Sequence, residues 1–182
     1  MTDEDHDAEL VQRAQAGEIR AFEALLERHQ ARVLRTLAGL GVPAHERDDL
    51  AQEVFIRVFR HLSGFRKHKA FSSWLYRITI NTVHGYRGAR ASSREKPWDA
   101  GLDHLPDDRP GPERFMEGED LARSLEQALE QLSERERTVF VLRELEGLDT
   151  REIASALGIT RITVRRHLGR ARNRIREVLG SE

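Results

Sequence analysis

The chain has 182 residues, 38% hydrophobic and 34% charged, with a formal net charge of -1 and no cysteine. That suffices for one ordinary domain or two small ones, is too polar for one large core, and excludes a disulfide framework or a thiolate metal site. The opening MTDEDHDAEL is acidic with no apolar run, and no stretch approaches the ~20 apolar residues of a membrane span, so a soluble cytoplasmic protein without signal peptide or membrane insertion is expected.

The small net charge conceals an alternation. Residues 1–53 hold 12 acids and 6 Lys or Arg, residues 54–94 hold 9 Lys or Arg and no acid, residues 95–118 hold 7 acids and 3 basic residues, and residues 119–182 hold 12 of each. Two separate basic blocks imply two contacts with polyanion, and the acidic blocks imply a protein partner elsewhere.

In residues 8–38, Leu10, Val11 and Ala14, then Phe22, Leu25, Leu26, Val33, Leu34 and Leu37, fall at helical spacings. They predict two amphipathic helices broken near Gly17, with Gly39, Gly41 and Pro43 ending the block. Residues 44–62 predict a third helix whose Leu50, Val54, Ile56, Val58, Phe59 and Leu62 face a core. Asp48, Asp49, Gln52 and Glu53 crowd its first half, where acids suit the positive end of the helix dipole.

After Ser63-Gly64, the acid-free FRKHKAFSSWLYRITINTVHGYRGAR carries a core stripe of Phe71, Trp74, Leu75, Ile78 and Val83. Tyr76, Arg77, Ile80, Asn81 and His84 lie off it or partly off it. Arginine, asparagine and aromatics on such a helix suit single-stranded DNA: charges follow phosphates, rings stack on bases and an amide reads a base edge. Residues 91–118 contain Pro97, Pro106, Pro110 and Pro112, show no helical period and are acidic, so a flexible linker is expected, with Trp98, Leu102 and Leu105 as candidate sticky points.

Leu121, Leu125, Ala128 and Leu129 predict a helix over 119–131. Ser133 with Glu136 has capping-box spacing before a helix from Glu134 to Leu145, which buries Val139, Phe140, Leu142 and Leu145. Asp149 with Glu152 repeats that spacing, and Ile153, Ala154 and Leu157 make the next buried stripe. Gly158 ends that helix and Thr160 caps the last, whose Val164, Leu168, Ala171 and Ile175 form one apolar face. Its other face carries Arg161, Arg165, Arg166, Arg170, Arg172, Arg174 and Arg176, with no acid between Thr160 and Arg176. A bland reading is a helical hairpin with a solvated arginine face. The coincidence of cap, glycine turn and unopposed arginines favours a helix-turn-helix whose second helix enters the DNA major groove.

The order of these parts, a DDLAQE helix, then FSSWLYRITIN with a basic continuation, a linker, and LEQLSERERTVFVLRELEGLDTREIASALGITRITVRRHLGRAR, resembles the extracytoplasmic-function sigma factors of bacterial RNA polymerase. The resemblance covers about residues 10–90 and 118–179. It implies an all-α fold of two small helical domains: 1–92 for polymerase docking and minus-ten recognition, 93–117 as linker, and 118–182 for minus-thirty-five recognition.

The resemblance also implies site residues. Asp49, Gln52, Glu53 and Phe55, with Asp48 and Leu50 beside them, match the helix that docks on the polymerase clamp coiled coil. Arg77 and Asn81, with Tyr76, His84 and Arg87, match the helix that captures the melted minus-ten strand, and Asn81 is the best candidate to touch an unpaired base. Arg161, Ile162, Thr163, Arg165 and Arg166 begin the recognition helix, where base and phosphate contacts are expected, whereas Arg170, Arg172 and Arg174 are expected to meet phosphate or solvent. One departure is Gly85, where the family often has Asp or another polar residue before a dense arginine cluster. With Gly88 it is expected to weaken the helix end, each glycine by roughly 1 kcal/mol against alanine.

Implied partners are core RNA polymerase, through its clamp coiled coil and flap, promoter DNA and an anti-sigma factor. No catalytic centre, metal or cofactor is expected. A stand-alone helix-turn-helix regulator is the alternative, but it would not need the docking helix or the acid-free helix. A DNA enzyme is disfavoured, because Ser72 and Ser73 have no nearby acid and the eight histidines show no metal spacing.

Overall fold

The computed structural model describes residues 3–66, 70–94, 125 and 127–179. Among them the regular structure is entirely helical: α1 (Asp3–Gln15), α2 (Ile19–Gly39), α3 (Arg47–His61), α4 (Phe71–Arg94), α5 (Glu134–Phe140), α6 (Thr150–Leu157) and α7 (Arg161–Leu179). Short 3-10 turns, Ala44–Glu46 and Leu62–Gly64, flank α3. The expected linker lies outside the described residues apart from its first two, which finish α4, and Trp98, Leu102 and Leu105 lie outside them as well. Of the helix expected over 119–131, residues 125 and 127–130 are helical and Leu121 is not described.

The first domain packs α1 to α4 around one core. Gly17, at φ +93°, turns the chain between α1 and α2, a backbone conformation that side chains with a Cβ rarely adopt. Leu25, Val33 and Leu37 of α2 are buried against Leu50, Val54 and Val58 of α3 and Leu75 and Val83 of α4. Phe65, Phe71 and Trp74 stack beside them, with Phe65 and Trp74 ring centroids 4.9 Å apart. A polar clasp joins α1 to α2: His29 Nε2 and Arg28 Nε lie 3.0 and 2.9 Å from the two Asp7 carboxylate oxygens. Burial pushes the Asp7 carboxyl up, yet His29 and Arg28 outweigh it and leave it below the ordinary carboxylate value.

One expectation changes here. Ile56 and Phe59, assigned above to the core face of α3, are 38% and 56% exposed. The buried stripe follows Leu50, Val54 and Val58 at intervals of four, with Ala51 and Phe55 beside it, and leaves those two on a neighbouring face. α4 runs through Gly85 and Gly88 to Arg94.

The second domain forms as its spacing predicts. Glu136 N–H donates to Ser133 Oγ at 3.4 Å and Ser133 N–H to Glu136 Oε2 at 3.1 Å. Asp149 Oδ1 accepts from Glu152 N–H at 2.8 Å and Glu152 Oε2 from Asp149 N–H at 2.6 Å, so both capping boxes are closed. The backbone N–H of Glu152 is the main cause of an Asp149 carboxyl held below its ordinary value. Gly158 ends α6 in the left-handed conformation at φ +66°, and Thr160 Oγ1 accepts the N–H of Thr163 at 3.1 Å. Ile153, Val164, Leu168, Ala171 and Ile175 share the core with Val139 and Leu142. The helix expected to run to Leu145 is α-helical only to Phe140; Val141–Leu145 is one wider π-helical turn, which leaves Leu145 36% exposed.

The two domains touch. The Val141–Leu145 turn packs against the end of α2, and α6 packs against α4. A Cβ on Gly39 would lie 2.9 Å from Leu145 Cδ1 and 3.0 Å from Val141 Cγ2, so the bare α-carbon sets the distance of approach.

Candidate nucleic-acid and protein-docking interfaces

Three surfaces gather the expected site residues. The first is a groove of about 670 Å³ between α2 and α3, where Asp48, Gln52 and Phe55 join Ile19, Phe22, Ile56 and Phe59. Phe22 and Phe59 meet edge to face at 5.1 Å. Of the other docking candidates, Leu50 is buried in the core, Asp49 is exposed outside the groove lining, and Glu53 accepts from Arg57 at 2.6 Å one turn on. The exposed apolar residues were read from the sequence as packing residues. Their signal is that Ile56 and Phe59 are three apart and out of step with the intervals of four along the buried stripe.

The second surface is the face of α4. Asn81 is exposed and, among the described residues, has no hydrogen-bond partner. The other four candidates meet the second domain. Tyr76 is 2% exposed, and its hydroxyl donates to Glu146 Oε2 at 2.7 Å. Burial, reinforced by that bond, pushes its pKa well above the ordinary tyrosine value, so the phenol keeps its proton. Arg77 donates to the carbonyls of Ser155 and, at 3.1 Å, Ala156, in the last turn of α6. Arg87 donates to Glu134 Oε1 at 2.7 Å and to the Leu40 carbonyl, and His84 Nε2 lies 3.4 Å from the same Glu134 oxygen. The sequence assigns Glu134 and Glu146 no role in this contact, because no local spacing links them to α4 residues 47 to 70 positions away.

The third surface is the N-terminal half of α7, residues 161–170. Arg161, Ile162, Arg165, Arg166 and Arg170 are exposed, Ile162 to 75%, and Thr163 is half-buried beside the cap. Val164, His167 and Leu168 point inward. Burial, with Arg166 nearby, pushes the His167 imidazole below its ordinary value, so it packs as a neutral ring. Farther along, Arg172 pairs with Glu144 at 2.7 Å, and Arg174 lies 3.3 Å from Glu136 and donates to the Gln131 carbonyl. Both stay solvent-exposed, in keeping with the expectation, while each also pairs with an acid of the same domain. The arrangement offers a basic helix end to a duplex, a helix face with an exposed amide to an unstacked strand, and an apolar groove to a protein.

Among the described residues no group of three or more His, Cys, Asp or Glu could hold a metal ion, and no helix is long and apolar enough to cross a membrane.

The family described as Sigma-70 region 2 matches residues 25–92, and Sigma-70, region 4 matches residues 122–175. The RNA polymerase sigma-H factor of Pseudomonas aeruginosa is 36% identical, covering 98% of this chain and 96% of that protein. The ECF RNA polymerase sigma-E factor of Escherichia coli K12 is 34% identical over 96% of this chain and 95% of that protein. Among solved structures, CnrH in complex with the cytosolic domain of CnrY superposes with a TM-score of 0.74 at 28% identity, covering 97% and 99% of the two chains. RpoE of Bartonella quintana, solved with the anti-sigma factor NepR, has the same fold, with a TM-score of 0.68 at 19% identity over 89% and 98%.

Proposed function

The chain belongs to the sigma-70 family, as an extracytoplasmic-function sigma factor, and from that premise we infer how its two domains divide the reading of a promoter. It directs promoter-dependent transcription initiation with core RNA polymerase, which supplies the chemistry. In this reading residues 1–92 dock on polymerase and capture the melted minus-ten strand, residues 93–117 connect, and residues 118–182 read the minus-thirty-five duplex. The clamp coiled coil occupies the α2–α3 groove, where Asp48 and Gln52 rim an apolar floor. The second domain meets the flap, and an anti-sigma factor is a further partner.

The observation that carries the reading is that groove. Contiguous exposed apolar side chains mark a protein-binding site, and neither DNA surface uses them. A stand-alone helix-turn-helix regulator would give the first domain no task.

Asn81→Ala is expected to slow promoter opening by about tenfold or more, the size of one lost base contact, while closed-complex formation stays near normal. A template with a pre-melted minus-ten region tests this: the defect should change between it and duplex template, and equal defects on both would argue for a duplex-binding role. Arg165→Ala is expected to weaken binding to the minus-thirty-five duplex by about tenfold. A phosphate contact lowers the salt slope by about one, and a base contact relaxes sequence preference at one position. Anisotropy titrations that find both unchanged would remove Arg165 from the interface.

A further inference from the structure

We propose that Glu146 pins an intramolecular latch that holds the second domain over the strand-capturing face of α4. The latch is read from geometry between the domains; its masking of DNA contact rests on the strand-capture reading of α4.

Glu146 follows the π-helical turn of the second domain, and its carboxylate is fully buried. Among the described residues, the side-chain partners of that carboxylate all belong to the first domain. Oε1 accepts from Arg35 Nε at 3.1 Å and lies 3.1 Å from Thr36 Oγ1. Oε2 accepts from Tyr76 Oη at 2.7 Å and from Arg35 Nη2 at 3.3 Å, with Arg32 Nε at 3.9 Å. A buried ion pair is by itself weak evidence of stability, because desolvation offsets much of the attraction. Removing Glu146 is another matter: Tyr76, 2% exposed, would keep its hydroxyl donor without an acceptor, whereas the half-exposed Arg35 would turn to water.

The remaining contacts repeat the same chemistry. Arg77 sits on the Ser155 and Ala156 carbonyls, where the last turn of α6 leaves carbonyls without helical partners and carries the negative end of the dipole. Arg87 and His84 face Glu134. The second domain thus presents to α4 two carboxylates and a helix C-terminus, a set of oxygens standing where a DNA strand would offer phosphate. One guanidinium cannot serve both. Gly39, with no Cβ to hold the Val141–Leu145 turn away, lets the surfaces close. Asn81 and the first turn of α7 stay exposed, so closure engages Tyr76, Arg77, His84 and Arg87 on α4 and leaves the duplex reader open.

The absence of native cysteine makes the test direct. Cysteines placed at the exposed Glu27 and Asn173 of the full chain take a donor and an acceptor dye, and the distance distribution is compared between the parent and Glu146→Ala. A fluorescent single-stranded oligonucleotide of mixed sequence is titrated in parallel, and circular dichroism confirms helix content. The parent should give one narrow distribution. Glu146→Ala should shift the closed-to-open equilibrium by about a hundredfold and tighten oligonucleotide binding by about tenfold or more. Tyr76→Phe, which removes only a hydroxyl, should move both readouts the same way by a smaller factor and stands in if Glu146→Ala loses helix content. Distances unchanged in both variants would overturn the latch, whatever the DNA does. Opened distances with oligonucleotide binding unchanged would support the latch and overturn strand capture by α4.

Discussion

Phe59→Asp is expected to weaken binding to core RNA polymerase by about a hundredfold or more and to leave the chain folded. Phe59 is 56% exposed, so its loss costs the first domain little packing. It closes one side of the α2–α3 groove, against the edge of Phe22. Burying a phenylalanine at an interface is worth about 1.5–3 kcal/mol, and a carboxylate forced into the same apolar place adds a desolvation cost of similar size. Aromatic anchors of this kind dominate interface energetics, whereas the rim charges Asp48 and Arg60 tune rate and salt response. Titrating labelled chain with core polymerase gives the affinity, and a melting curve reports the fold. Unchanged affinity with an intact fold would move the docking site elsewhere.

Ile153→Ala is expected to unfold the helix-turn-helix at a far lower temperature and to abolish stable duplex binding under conditions where the parent is saturated. Ile153 has no exposure and lies in the core that α6 and α7 share with Val139 and Leu142. Removing it costs about 2–5 kcal/mol through lost burial and the remaining cavity, although alanine is the better helix former. That is a large share of the stability of so small a domain. At about 4–8 °C per kcal/mol, the second domain should melt about 8 °C lower or more. Calorimetry checks the transition, and anisotropy with promoter duplex checks the function. A transition at the parent temperature would show that Ile153 does not hold the domain.

What could be read from the sequence was local. Asp149 with Glu152, Ser133 with Glu136, Gly158 and Thr160 each act within a few residues, and each acts as its spacing predicts. The arginines of the recognition helix were equally legible in number, but not in use. All four of Arg165, Arg166, Arg172 and Arg174 are exposed, but only Arg172 and Arg174 also pair with acids, Glu144 and Glu136, on neighbouring elements that sequence spacing does not place. The same limit hid the groove. Ile56 and Phe59 resemble core residues in type, and only the packing of α2 on α3 shows which side of the helix is left uncovered. Tyr76 and Ile80 lie off the Phe71–Leu75 stripe yet are buried, because α4 has neighbours on more than one side. Periodicity predicts one buried face, and a second appears only when another domain supplies it.

Glu146 also has a place in time. Ribosomes complete the chain through α4 some fifty residues before they add Glu146. At synthesis rates of about 5–20 residues per second, that interval lasts several seconds, and N-terminal domains fold as they emerge. The nascent first domain therefore passes through a stage in which Arg77 and Tyr76 are made but their oxygen partners are not. During that interval the α4 face has none of the second-domain contacts that hold it in the finished protein.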